Sequence, residues 1–261
     1  MRRMLAALAL AAAMFAPAHA QTAPERAAAA LPSQPALDAR SIVTRAHAAA
    51  GGAVWVRPET LYMRGEAVFY RADGAVERHE RYEMWRVYPR EKDAAHAADG
   101  KVRIESRRDG RQALLLAFDG ARSYTAAGPQ PPSEADRQWS ENFGFGVIRF
   151  ALDDGFTLTR LPDDLVDGRP VYHVRVADPA GMQTQFAIAQ DDFAILRVGF
   201  ATPRGWHERI YSDFFTRPGS AWVQPGRVRL FYNGVKQNEI FWTDFRLNEA
   251  MPDALFVVSP P

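Results

Sequence analysis

The stretch WHERIYSDFFTRPGSAWVQPGRVRLFYNGVKQNEIFWTDFRLNEAMPDALF, residues 206–256, decides the fold. Three segments in it are dense in aromatic and β-branched residues. Each is bounded by turn residues, in Arg217-Pro218-Gly219-Ser220, Gln224-Pro225-Gly226 and Asn233-Gly234. An Asn-Gly pair between two alternating runs supplies the positive φ that a tight hairpin needs at both central positions. The spacing therefore predicts antiparallel strands over Arg227–Tyr232 and Val235–Leu247. On strict alternation, Phe241, Phe245 and Leu247 share one face of the second strand, while Ile240 and Trp242 share the other. A strand apolar on both faces needs cover on both. The protein's own helices are expected to cover the outer surface. The inner one faces either a cavity or, in the alternative reading, a second sheet packed against it as a sandwich.

Upstream of this stretch the same two-residue period recurs. Leu61–Arg71 and Val76–Tyr88 alternate around Ala72-Asp73-Gly74, with Tyr82, Met84 and Tyr88 on one side and Trp85 and Val87 on the other. Glu77–Arg81 is charged on both faces and is expected to project beyond the core. Lys101–Arg107, Gln112–Phe118 and Ala121–Thr125, joined by Asp109-Gly110 and Asp119-Gly120, read as a meander. Strands resume at Phe156–Leu161, Pro170–Ala177, Gln183–Ala189 and Ala194–Ala201. The turns between them are expected at Asp163-Asp164, Asp178-Pro179-Ala180-Gly181 and Asp191-Asp192. These acidic pairs lack a D-x-D-x-D-G loop and its closing Glu, so no calcium or other metal is expected.

Helical spacing is confined to two places. Asp38 or Ser41 caps a first helix with Ile42, Val43, Ala46 and Ala49 on one stripe and Gly51-Gly52 as its stop, and His47 on it is expected to face solvent. Pro89–Gly100 has room for one helical turn. Beyond the Gly128–Pro132 run, with Ser133 or Asp136 as cap, a helix over residues 136–152 carries Trp139, Phe143, Val147 and Phe150 at helical spacing. So aromatic a stripe is either core or a lid over an apolar opening.

The first twenty residues have the form of a secretory signal: Arg2 and Arg3, the apolar run Met4–Phe15, then Ala18-His19-Ala20 as the cleavage site. Residues 21–37 are an Ala- and Pro-rich flexible leader, and 38–261 read as one domain. No later run approaches the roughly 20 apolar residues of a transmembrane helix, so the mature chain is expected to be soluble and periplasmic. There is no cysteine, which excludes disulfides and a lipidated N-terminal Cys. Of 32 basic residues, loss of Arg2 and Arg3 leaves 30 against 31 acidic ones. Arginines are scattered along the strands rather than clustered, so no nucleic-acid role is expected.

An enzyme reading has one constellation to offer. Period two places His207, Arg209, Tyr211 and Asp213 on one face of the strand Trp206–Phe214, with His173 on another strand as a possible third partner. A His and an Asp six residues apart on a strand are separated by about 20 Å, too far to share a proton. G-x-S-x-G, H-E-x-x-H and a cysteine nucleophile are all absent from the sequence. The expectation is a non-enzymatic protein without catalytic residues or cofactor, with hydrolysis the weaker alternative.

Three runs resemble the periplasmic lipoprotein-carrier superfamily of the LolA and LolB type, with its related lipid carriers and sigma-factor regulators. They are Leu115-Leu116-Ala117-Phe118-Asp119-Gly120 followed by Tyr124; the turn and apolar strand of Asp191–Val198; and Tyr211-Ser212-Asp213-Phe214 through Trp242-Thr243-Asp244-Phe245 to Asn248 and Ala254-Leu255-Phe256. The resemblance implies a mainly β fold with a few helices, in which a strongly curved antiparallel sheet forms an incomplete barrel plugged by helices. It also implies an apolar hollow for a lipid or acylated ligand. Phe69, Trp85, Leu115, Trp139, Phe143, Phe150, Phe186, Phe200, Phe231 and Trp242 are the candidates to line it. The same fold allows an envelope sensor that binds a partner protein, with Glu77–Arg81 as a docking edge. The chain is expected to be a monomer.

Overall fold

Asn233 and Gly234 adopt φ of 48° and 77° and close the hairpin that the sequence predicts, between β12 (Arg227–Tyr232) and β13 (Val235–Leu247). The computed structural model describes residues 37–90, 100–132 and 145–259. The signal segment, the leader up to residue 36, the connection 91–99, the proposed caps Ser133 and Asp136, and Trp139 and Phe143 lie outside them.

The N-terminal strands are β1 (Thr60–Tyr70), β2 (Val76–Val87), β3 (Lys101–Arg108), β4 (Arg111–Phe118), β5 (Ser123–Thr125) and β6 (Gly128–Pro129). They are followed by β7 (Thr157–Val166), β8 (Arg169–Ala177), β9 (Gln183–Ala189), β10 (Ile195–Thr202) and β11 (Gly205–Ser212). With β12 and β13 they make one antiparallel sheet in the order β6-β5-β4-β3-β2-β1-β13-β12-β11-β10-β9-β8-β7. Two meanders thus grow outward from the central β1–β13 pair. The sheet is not closed into a barrel, and its edges β6 and β7 are neighbours in sequence, so the segment between them must cross from one edge to the other. That segment contains helix α3 (Phe145–Phe150).

Among the described residues, three α-helices sit on the inner face. α1 (Ala39–Ala50) begins at Asp38, whose carboxylate accepts the Ser41 N–H at 2.6 Å, and ends at Gly51 with φ 132°. α2 (Ala53–Val56) follows at once, and α3 is Phe145–Phe150. Ile42, Val43 and Ala46 of α1, Trp55 of α2 and Val147 and Ile148 of α3 share one buried cluster with Met63, Met84, Phe186, Val198, Trp242 and Phe245 of the strands. The helices therefore occupy the inside of the curve, as an incomplete barrel plugged by helices implies, and do not cover the outer surface as the two-faced reading of β13 required. The outer face carries ion pairs such as Arg81–Glu83 and Arg103–Glu105, and a small apolar patch around Val171, Ala187 and Leu196.

The apparent two-sidedness of β13 comes from a bulge. Arg64 pairs with Asp244, but the next residue, Gly65, pairs with Trp242, leaving Thr243 unmatched. Beyond this step the parity inverts, so Ile240, Trp242, Phe245 and Leu247 all join the inner cluster while Phe241 faces outward under the Arg227 guanidinium. Gly65 makes the step possible, because a Cβ there would collide with the Phe241 carbonyl and the Trp242 Cα.

Three other expectations change. β7 runs on through Asp163-Asp164 to Val166, and the turn is Asp167-Gly168 at φ 48° and 81°. Asp163 and Asp164 are held as strand residues by Arg160 at 2.5 Å and Arg197 at 2.8 Å. Pro162 is tolerated because β7 is an edge, with the register shifting between Leu161 and Asp164. His47 is buried rather than solvated, and its Nε2–H donates to the Ile148 carbonyl at 2.7 Å. Glu77–Arg81 does not project freely: His79 is buried against Phe69 and Ser106, and Glu80 accepts the Asp109 and Gly110 N–H groups.

Candidate functional site

Inward-pointing side chains alternate with outward ones along every strand, so a curved sheet gathers one set of them around a common space. Met63 and Phe69 of β1, Tyr82 and Met84 of β2, Ile104 of β3 and Leu114 and Leu116 of β4 form one wall. Tyr211 of β11, Val228 and Leu230 of β12, and Ile240 and Trp242 of β13 form the opposite one. Trp55 of α2, Phe145 and Arg149 of α3, and Trp222 close the remaining side. The space between them, partly open to solvent, is about 380 Å³. Binding sites for small molecules commonly fall at about 300–1,000 Å³ and have mostly apolar walls with a few placed polar groups.

Of the ten residues proposed from the sequence, Phe69 and Trp242 line this cavity. Leu115 and Phe231 are one residue out of phase, their neighbours Leu114, Leu116 and Leu230 being the ones that turn inward. Trp85 packs on Tyr62 at 5.3 Å on the outer face. Phe186 and Phe200 are fully buried in the core away from the cavity, and Phe150 is buried beneath the Arg57 guanidinium. Trp139 and Phe143 lie outside the described residues.

Four arginines line the cavity and were missed in the sequence reading, Arg204 in the β10–β11 turn and three on regular elements. Arg86, Arg149 and Arg209 lie on β2, α3 and β11, far apart in the chain, and all line the cavity. Among the described lining residues there is no Asp or Glu. Arg149 is 3% exposed, with its guanidinium carbon 4.5 Å from the Trp55 ring centre, 4.7 Å from Tyr88 and 5.3 Å from Trp222. Burial lowers its pKa and that of Arg209. Burial also pushes the phenols of Tyr82 and Tyr211 up to about 12, against the opposing pull of Arg209, so both remain hydroxyl donors. The signal was present in the sequence: Arg86 sits between the inward Met84 and Tyr88, and Arg149 inside the apolar run Phe145-Gly146-Val147-Ile148-Arg149-Phe150.

Of the residues in the enzyme reading, Arg209 and Tyr211 meet in the cavity wall, but His207, Asp213 and His173 do not join them there. His207 is fully buried between Phe200 at 4.6 Å and Tyr232 at 5.1 Å. Asp213 lies past the end of β11 at φ 55°, with its carbonyl accepting the Gly226 N–H. His173 pairs with Ala187 of the outer patch and has Arg197 and Asp164 around it, on the other face of the sheet from His207. Among the described residues no group of His, Asp and Glu could hold a metal ion, and no helix is long and apolar enough to cross a membrane.

The motif residues of the lipoprotein-carrier resemblance have structural work. The Asp119 carboxylate takes the Ala121 and Arg122 N–H groups at 2.8 Å and the Tyr124 hydroxyl at 2.8 Å, locking the β4–β5 turn. Asn248 takes the Glu59 N–H at 3.0 Å and fixes the start of β1.

No protein-family model matches the sequence, and neither does any curated protein. Solved structures do match. A LolA superfamily protein from Nitrosomonas europaea aligns with a TM-score of 0.52 at 13% identity, over 85% of this chain and 98% of its own. A domain proposed to be an outer membrane lipoprotein-sorting protein, from Vibrio parahaemolyticus, aligns with a TM-score of 0.48 at 12% identity, over 82% and 94%. At such identities the likeness speaks for the backbone alone: an open, curved antiparallel sheet with helices in its mouth. The fold of this chain is similar to that of the LolA superfamily protein from Nitrosomonas europaea.

Proposed function

We propose that this protein is a periplasmic, non-enzymatic binding or carrier protein that holds a lipid or an acylated ligand in the inner cavity of its half-barrel, the segment from residue 38 acting as one domain. The supporting observation is the aromatic- and methionine-walled space of about 380 Å³ between sheet and helices. Moving an acyl chain out of a membrane forfeits about 0.8 kcal/mol per methylene, or about 13 kcal/mol for sixteen carbons. An open patch of about 300 Å² at about 25 cal/mol per Å² returns only about 7–8 kcal/mol. A carrier therefore needs walls on several sides of the chain.

The test is native mass spectrometry of the chain from residue 21, purified from a periplasmic extract and then incubated with a palmitoylated peptide and with 1-monopalmitoylglycerol. A carrier gains one ligand mass with at least one of the two. A chain that flies bare under all of these conditions is not one. A single co-purifying protein in place of lipid would assign the fold to regulation instead.

A further inference from the structure

Arg149 is held in a way that the packing of the helices does not require. Its neighbours Ile148 and Phe150 bury ordinary apolar groups, yet its own side chain is buried and lines the cavity. Among the described residues, Nε and Nη1 of that guanidinium have no hydrogen-bond partner. Ring faces of Trp55, Tyr88 and Trp222 stabilise the cation, but a π face accepts none of the in-plane N–H bonds that a guanidinium directs outward. Buried donors without acceptors are costly, and a charged one most of all. Arg86 and Arg209 bring further positive charge to the same walls, and the Arg86 charge pushes the Arg149 pKa down as burial does.

The missing partner of Nε and Nη1 is an acceptor-rich anion whose remainder is apolar, since the described walls offer the neutral Tyr88 and Tyr211 hydroxyls, Gln224 and Asn238 but no carboxylate, and are otherwise hydrocarbon or ring. We propose that the cavity takes an anionic amphiphile head-first, with Arg149 binding its carboxylate or phosphate and the chain lying along Met63, Phe69, Met84, Ile104 and Leu114. This rests on the carrier reading and narrows it: an acid group enters the pocket, and an uncharged chain of equal length is the poorer ligand. A planar guanidinium forks onto either oxyanion, which an ammonium cannot do as well.

Trp55, Trp222 and Trp242 line the cavity and report on its occupancy. Intrinsic fluorescence of the chain from residue 21 is titrated with dodecanoate, dodecyl phosphate and 1-dodecanol, for the parent protein and for Arg149→Met and Arg149→Lys. The expected result is at least tenfold tighter binding of one or both anions than of the alcohol. Arg149→Met should remove that preference while changing the alcohol by less than about twofold, and Arg149→Lys should keep part of it. Whichever anion is preferred distinguishes a carboxylate from a phosphate ligand. Arg149→Met deletes a buried charge and keeps the volume, so it should fold; far-ultraviolet circular dichroism checks this, and if it does not fold, Arg149→Lys carries the comparison alone. Equal affinity for anion and alcohol, or a Met variant that weakens both alike, makes Arg149 a packed cation only and overturns the proposal. Failure of all three ligands to bind removes the carrier reading, and this inference with it.

Discussion

Gly65→Ala tests the step on which the cavity depends. The backbone of Gly65 is not in the left-handed region, so the substitution brings no conformational penalty of its own; its cost is the collision of the new Cβ with the Phe241 carbonyl and the Trp242 Cα. Both obstacles are main chain, so no rotamer change relieves them, and β13 must move away from β1. One or two ladder hydrogen bonds at about 1 kcal/mol each are lost. Overpacking strain adds about 1–3 kcal/mol. The sum is about 2–5 kcal/mol, or a Tm lower by about 5–15 °C for a domain of this size. Gly74→Ala is the control: φ there is +86° but no atom lies within 4 Å, so it should cost only the left-handed penalty of about 1–2 kcal/mol. Urea denaturation of both variants supplies the numbers. Because the chain has no cysteine, thiol labelling can check the geometry directly. Thr243→Cys and Asp244→Cys should both react although they are adjacent, while Trp242→Cys and Phe245→Cys should not. A Gly65→Ala variant as stable as Gly74→Ala, or labelling that simply alternates, would refute the bulge and with it the inward placement of Ile240 and Trp242.

Two further expectations concern the helices and the motif turn. Burial holds the His47 imidazole below its ordinary value; the Ile148 carbonyl opposes this, Arg149 and Arg57 reinforce it, and Asp153 opposes it weakly. The unfolded chain therefore binds a proton below about pH 6.5 that the folded chain refuses, so stability falls as the pH drops, by at most about 1.4 kcal/mol per pH unit from this group. Denaturation midpoints at pH 7.5, 6 and 5 should decline less steeply for His47→Gln than for the parent; equal slopes would show that His47 is not responsible. At pH 7.5 that variant should lose only about 1 kcal/mol, because the Ile148 carbonyl keeps its bond from the Ala151 N–H. Asp119→Ala removes three hydrogen bonds at once and should cost about 1–3 kcal/mol. Hydrogen exchange should speed up first at Ala121 and Arg122, and exchange that leaves those two amides protected would contradict the locking role.

What could be read from the sequence was whatever is settled by local geometry. Asn233-Gly234 can hardly be anything but a tight turn, and β12 and β13 have the bounds that it implies. Asp38 and Gly51 mark the ends of α1 because a free N–H and a positive φ are problems of single residues. The same rule applied to Asp167-Gly168 would have found the β7–β8 turn, but the conspicuous Asp163-Asp164 pair drew the boundary instead, and its partners Arg160 and Arg197 could not be known without the register. Non-local approach is what a one-dimensional pattern lacks. Nothing near Thr243 announces that Gly65, some 180 positions earlier, lets two strands close tightly enough to skip a residue. That skip exchanges the faces of half of β13. Counting parity from the turn end made the strand look apolar on both sides, which called for helices outside the sheet; with the bulge in place one face suffices, and the helices belong inside, against the cavity. The arginines follow the same logic. Arg86, Arg149 and Arg209 read as scattered charge until three inward parities, set by β2, α3 and β11, bring them to one space. A charged residue at an inward position, out of keeping with its apolar neighbours, is thus the sequence feature most worth following, because burial makes such a residue expensive unless something that enters the cavity offsets the cost.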